Sequence, residues 1–317
     1  MTLIYGSCSD AIANIIKPNS INHIITDPPF AIDYTKNKKT HARKKDKVID
    51  GYIEWTKEAF LSEIKGLFKR IPHIMKGNSN ILIFCSWNSL PLLFEAFKEA
   101  NNWIEFTYNK DATIKYMGQI VWHYNFGVWT STRPVTSHYN ILWFYYGKEG
   151  NHVFNPYCRF LPDEKDEEGK SKVYKDLQSV WMIKKEFKPN QERYPTELPK
   201  ELCNKLVQYF TLEDEVILDP FAGSGRIGEA CIKFKRLPIS VELNEEVLPY
   251  LTQNIYGKKA RNMLETYFKN ERSFEVEVEP PKIFFHDFKG FKYKSVINSN
   301  YLKYPRPEMY YKNAKYY

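Results

Sequence analysis

The stretch from Val216 to Glu242 restricts the fold more than any other. Val216-Ile217-Leu218-Asp219 is a short apolar run ending in an acid, and Pro220-Phe221-Ala222-Gly223-Ser224-Gly225 follows it. Helical spacing takes over from about Arg226 to Lys235, and a second apolar run, Pro238 to Leu243, carries Glu242 near its end. Strand, glycine turn, helix and strand in that order make a βαβ unit, which belongs in a parallel sheet. Gly223 and Gly225 permit a tight turn and a close approach of backbone to a ligand. An acid about 20 residues beyond such a turn stands where ribose hydroxyls can donate to it. The turn has neither the G-x-G-x-x-G pattern nor the Gly-Lys-Ser/Thr of a phosphate loop, so a nucleoside without a polyphosphate is the expected ligand. A plain βα turn is the alternative that these residues alone leave open.

Other apolar runs bounded by turn residues read as buried strands: Ile21 to Thr26, Asn80 to Cys85, Ile120 to Tyr124 and Asn140 to Tyr146. Trp55 to Met75, Leu90 to Ala100 and Lys200 to Phe210 show helical spacing between them. The alternation predicts an α/β fold with a doubly wound, mostly parallel sheet. Three stretches interrupt it: a basic run from Thr35 to Asp50, a charged, turn-rich segment from Gly147 to Asn190, and a tail of lysines and aromatics from Gly257 onward.

A second signal lies near the N-terminus. Ile24-Ile25-Thr26 runs into Asp27-Pro28-Pro29-Phe30. Two prolines fix φ twice, turn the chain out of the sheet and offer no N–H, which leaves nearby carbonyls free to accept. Asp27 adds a carboxylate and Phe30 a flat apolar face. Together they suit a planar ring that carries an exocyclic amine. An ordinary Pro-Pro turn is again the plain alternative.

The net charge of +8 points weakly to an anionic partner. No apolar run reaches the roughly 18 residues of a membrane helix, so no membrane association is expected. The five cysteines are scattered without a CxxC pair, which favours free thiols and argues against a structural zinc site, and no bound metal is expected. Pro162-Asp163 with Glu168-Gly169-Lys170 mimics a nuclease signature, but its halves are too close and read as a solvated loop.

Asp-Pro-Pro-Phe followed much later by Asp-Pro-Phe-Ala-Gly-Ser-Gly resembles the amino-methylating, S-adenosylmethionine-dependent DNA methyltransferases of the β group. Tyr5-Gly6-Ser7-Cys8, Ser137 to Leu142, Ser179-Val180-Trp181 and Tyr194-Pro195-Thr196-Glu197-Leu198-Pro199 are similar to further segments of that family, in its order. The chain departs from the pattern at Ser7, where an Asp is usual. Tyr194, Glu197 and Leu198 replace His, Gln and Lys, and Arg226 stands where Thr is common.

The resemblance implies a Rossmann-like catalytic domain over 1–256, a target recognition region inserted at 147–190 and a C-terminal extension over 257–317. It implies catalysis by Asp27, Pro28, Pro29 and Phe30. Cofactor contacts are expected from Ser7, Cys8, Asp27, Thr196, Asp219, Phe221, Gly223, Ser224, Gly225 and Glu242. Double-stranded DNA is the expected partner, contacted by Lys36, Lys38, Lys39, Arg43, Lys44, Lys45 and Arg133, with Arg159, Lys170 and Lys172 as further basic candidates in the recognition region. A homodimer and a cognate restriction endonuclease stay open as further partners, and the expected location is the cytoplasm, at nucleoid DNA. The expected reaction is methylation of adenine N6 in a flipped base. Cytosine N4, which more often goes with Ser-Pro-Pro-Tyr in this family, and a DNA-binding protein on a non-catalytic scaffold are the alternatives.

Overall fold

A computed structural model describes residues 2–30, 55–125, 127, 129, 131–148, 150–186, 194, 196–269 and 284–287. The first half runs β1 (Thr2–Tyr5), α1 (Cys8–Asn14), β2 (His23–Thr26), α2 (Lys57–Ile74), β3 (Ser79–Cys85), α3 (Leu90–Thr107), β4 (Ile114–His123) and β5 (His138–Tyr146). The second half runs α4 (Lys172–Asp176), β6 (Val180–Met182), α5 (Lys200–Phe210), β7 (Val216–Asp219), α6 (Arg226–Lys233), β8 (Leu237–Glu242), α7 (Leu248–Tyr256), α8 (Lys258–Lys269) and β9 (Phe284–Asp287).

The nine described strands form one sheet in the order β6-β4-β5-β3-β2-β7-β8-β1-β9. All run parallel except β5, which pairs antiparallel with both β3 and β4. Alternation along each strand divides the core between two faces. Ile24, Ile81 and Ile83 pack with Phe60, Ile64 and Phe68 of α2 on one face. Ile25, Leu82, Phe84 and Ile217 pack with Leu202 and Leu206 of α5 and Ile227 of α6 on the other. Helices on both faces make the sheet doubly wound, as the βαβ reading predicts.

The strand bounds differ from the sequence reading in instructive places. β2 starts at His23, with Ile21 reduced to a bridge to Met75. β4 begins six residues earlier than Ile120 reading implies, because a bulge between Tyr116 and Gly118 shifts register and breaks the two-residue period. β1 was read only as part of a motif, yet its four residues lie between β8 and β9. β6 falls inside 147–190 but extends the main sheet alongside β4. The segment before it is fastened to α5: Asp176 takes Arg159 Nε at 2.9 Å and Lys205 Nζ at 3.0 Å, and the Tyr209 hydroxyl bonds to the same carboxylate. Beyond residue 256, α8 buries Leu264 and sets Phe268 edge-on to Tyr5.

Candidate active site

The parallel strands all end at one edge of the sheet, and β5 begins there. That edge therefore collects Asp27 after β2, Trp87 after β3, Tyr124 after β4, Tyr139 at the start of β5, Lys185 after β6, Asp219 ending β7 and Glu242 ending β8. The carboxyl edge of such a sheet is where ligands bind. Although some 190 residues separate Asp27 from Asp219 in sequence, β2 and β7 are neighbours. Thr26 Oγ1 donates to Asp219 Oδ1 at 2.7 Å, and the Phe221 N–H reaches the same oxygen at 3.3 Å.

The glycine turn is shaped by backbone. Gly223 and Gly225 have φ of 48° and 78°, in the left-handed region that side chains disfavour. Gly225 caps α6, and a Cβ there would lie 2.9 Å from Ile255. Glu242 closes the turn: Oε2 accepts from Gly223 N at 2.7 Å and Oε1 from Asn244 N at 2.8 Å. A carboxylate oxygen can accept more than one hydrogen bond, which suits it to a ligand hydroxyl.

Asp27 Oδ1 is buried without a hydrogen-bond partner among the described residues. Burial, then the neighbouring Asp219, push the Asp27 carboxyl up to about 8, against the pull of Lys185. Burial also pushes Asp219 up to about 7, although the Thr26 hydroxyl and the Phe221 N–H favour its charged form. Two raised carboxyls side by side, one with an oxygen lacking a donor among the described residues, form a site suited to receive donors and positive charge.

The other predicted residues are placed as follows. Pro28 is buried, and Phe30, 7 % exposed, meets Tyr139 with ring centres 5.0 Å apart. Ser7 caps α1, accepting from Asp10 N at 3.1 Å, and the buried Cys8 thiol is pushed up to about 12. Phe221 packs edge-on against Trp55. Ser224 is buried, and its carbonyl accepts from Asn254 Nδ2 at 2.8 Å. Thr196 is exposed and hydrogen-bonds Tyr194. Arg133 is exposed, its guanidinium 5.9 Å from the centre of the Trp87 ring. Lys36, Lys38, Lys39, Arg43, Lys44 and Lys45 lie outside the described residues. Arg159 is tied to Asp176, whereas Lys170 and Lys172 pair with Glu168 and Glu164 at the surface.

Sequence reasoning missed an aromatic box beside Asp27. Lys185 Nζ lies 4.0 Å from the centre of the Tyr124 ring, 5.3 Å from that of Tyr139 and 5.7 Å from that of Trp122. Such distances are those of cation–π contacts. The one available signal was that Trp122, Tyr124 and Tyr139 all flank strand ends of the same edge. Also missed was a buried pair between Glu197 and Arg226, noticed in sequence only as two separate departures from a pattern.

The family model for N6/N4 DNA methylases matches residues 21–253. The chain belongs to this family of S-adenosylmethionine-dependent DNA methyltransferases. Type II methyltransferase M.HpaI of Haemophilus parainfluenzae is 22 % identical over 245 residues, covering 76 % of this chain and 70 % of the relative. DNA adenine methyltransferase YhdJ of Escherichia coli (strain K12) is 23 % identical over 267 residues, covering 78 % and 80 %. Among solved structures, the M1.HpyAVI–SAM complex matches with a TM-score of 0.52 at 21 % identity, over 81 % of this chain and 100 % of that one. The cytosine-N4-specific PvuII DNA methyltransferase matches with a TM-score of 0.58 at 13 % identity, over 86 % and 95 %. Both structural likenesses are likenesses of fold. No described helix is long and apolar enough to cross a membrane.

The sheet edge fits the family's cofactor: the residues supply an acceptor carboxylate at Glu242, a glycine turn in the left-handed region and a shielded carboxyl oxygen at Asp27 without a partner among the described residues.

Proposed function

We propose that the protein methylates the N6 amine of adenine in duplex DNA. The observation that carries this reading is the placement of Asp27, whose shielded Oδ1 has no partner among the described residues, on the strand next to the Asp219–Gly225 turn. Asp219, Phe221, Gly223, Ser224, Gly225 and Glu242 would hold the cofactor, with Glu242 accepting from ribose hydroxyls. The cofactor supplies a methyl already activated on a sulfonium. This chain then has mainly to position the amine.

Asp27 accepts one N–H of that amine and the Pro28 carbonyl the other. Both bonds favour a pyramidal nitrogen with its lone pair turned to the methyl. Pro28 and Pro29 cannot donate, so no backbone N–H competes there. Phe30, Tyr124 and Tyr139 form an aromatic wall beside which a base that has left the duplex would be held. Asp-Pro-Pro-Phe, with its acid in first place, supports adenine over cytosine.

DNA is proposed to cover the same edge. Trp87 and Trp129 are 49 % and 78 % exposed, and Arg133 stands over Trp87. Exposed aromatics beside a guanidinium suit unstacked bases and phosphates. The run from Lys36 to Lys47 begins six residues after Phe30 in the chain. The test is transfer of labelled methyl from S-adenosylmethionine to duplex DNA. Wild type should label the DNA and Asp27→Ala should not; an Asp27→Ala protein with near-normal turnover would sink the role given to Asp27.

A further inference from the structure

Arg226 is the first residue of α6, directly after the capping Gly225, and is 4 % exposed. A cation there opposes the positive end of the helix dipole, and burial removes its hydration. Neither helix propensity nor packing explains the choice. Its surroundings do. Arg226 Nη2 lies 2.5 Å from Glu197 Oε1, and Nη1 pairs with Glu229. Glu197 is 10 % exposed and also accepts from the Tyr250 hydroxyl at 2.9 Å.

These contacts join three pieces of chain around the glycine turn. Glu197 belongs to the segment leading into α5, Arg226 opens α6, and Tyr250 sits on α7 one residue before Leu251. Leu251 and Ile255 are the side chains that a Cβ on Gly225 would strike. Three residues before Glu197, the Tyr194 ring comes within 3.5 Å of where a Cβ on Gly223 would be. Tyr194 also feels the charges of Glu242 and Asp27. Glu197 Oε1 thus bonds to both Arg226 and Tyr250, linking the two walls of the turn.

We propose that Glu197 and Arg226 form a clasp that fixes the glycine turn and Tyr194 in their cofactor-binding arrangement. They are positioning residues, and neither need touch the cofactor. The two departures from the family pattern are then one substitution in two parts, each requiring the other. This inference rests on the reading that the Asp219–Gly225 turn holds the cofactor.

The test uses the full chain. Glu197→Gln keeps an acceptor for Tyr250 and removes one of the two charges that answer Arg226, leaving Glu229. Titration calorimetry with S-adenosylmethionine should show Kd raised about tenfold or more, about 1.4 kcal/mol per tenfold. KM for the cofactor should rise in step, with kcat at saturation and Kd for DNA close to wild type. Adding Arg226→Thr to Glu197→Gln removes the buried cation that Glu229 alone is left to answer and should recover most of the lost affinity. A wild-type cofactor Kd in Glu197→Gln overturns the clasp. So does a double variant no better than the single, or equal loss of cofactor and DNA binding alongside a lowered Tm, which marks a general folding defect. Glu242→Ala separates the two claims. If it loses cofactor affinity while Glu197→Gln does not, the clasp alone fails; if it keeps full affinity, the assignment of the turn fails.

Discussion

Thr26 and Asp219 are joined by a 2.7 Å hydrogen bond between β2 and β7. Thr26 ends the strand that delivers Asp27, and Asp219 ends the strand that delivers the glycine turn. The bond fixes the two motifs at the same height on the sheet edge, so chain order matters little to the site. It also gives a buried carboxyl a donor, without which that carboxyl would hold its proton more firmly.

Thr26→Val keeps the shape and removes the donor. Asp219 Oδ1 then keeps only the longer bond from the Phe221 N–H, and losing the stronger donor to a buried acceptor costs about 1–3 kcal/mol. In a chain of this size each 1 kcal/mol lowers Tm by about 2–4 °C. Thermal denaturation should show that drop, and cofactor KM should rise because Phe221 N and the turn lose their common anchor. An unchanged Tm and KM would show that the bond does not organise the site.

Asp27→Ala should reduce kcat on the order of 10²-fold or more, since misplacement of the reacting amine alone has that scale. Cofactor binding should largely persist, because Glu242 and the turn are untouched. Single-turnover kinetics with equilibrium binding on the same variant separates the two. A variant that loses the cofactor and turns over normally when saturated would place Asp27 in binding instead.

The raised carboxyls make stability and binding depend on pH in a definite direction. Asp27 ionises near 3.8 when exposed and about 8 here, and Asp219 about 7. Between those limits the folded chain keeps protons that the unfolded chain has released. Stability is therefore fully present at the acid side of the window and falls as pH rises towards about 8. A sulfonium cation beside these groups favours their ionised forms, so cofactor binding should release protons and tighten as pH rises through about 7 to about 8. Calorimetry in buffers of different ionisation enthalpy measures that release. Asp27→Ala should lessen it; affinity independent of pH across the window contradicts the assignment.

Much of this site was legible in the sequence because it sits at strand ends, where punctuation is strong. Asp27-Pro28-Pro29 and Asp219 to Gly225 mark the places where an apolar run must stop, and Glu242 follows from the length of one βαβ unit. The helix Lys200–Phe210 was readable to the residue from its apolar spacing. What was not legible depends on contacts between distant segments. The reversed direction of β5 leaves no mark in a run such as Asn140 to Tyr146, which is apolar enough for either direction. β1 is too short to stand out, and β4 is disguised by its bulge. The Glu197–Arg226 pair looked like two losses because one-dimensional reading cannot see that they meet.

The basic run is the sequence's own prediction about DNA. Replacing Lys36, Lys38, Lys39, Arg43, Lys44 and Lys45 with Gln should weaken DNA binding and flatten its salt dependence. The slope of log K against log salt should shrink by about 0.9 for each phosphate contact removed. Cofactor Kd should not move. An unaltered salt slope would assign the run to another task.

The most direct test of the account is the identity of the base. DNA treated with the protein and S-adenosylmethionine is digested to nucleosides and analysed by mass spectrometry. Methylation oriented by Asp27 in an Asp-Pro-Pro-Phe site predicts N6-methyladenine, absent when Asp27→Ala replaces the wild type. N4-methylcytosine as the sole product, or no modified base at all, would contradict it.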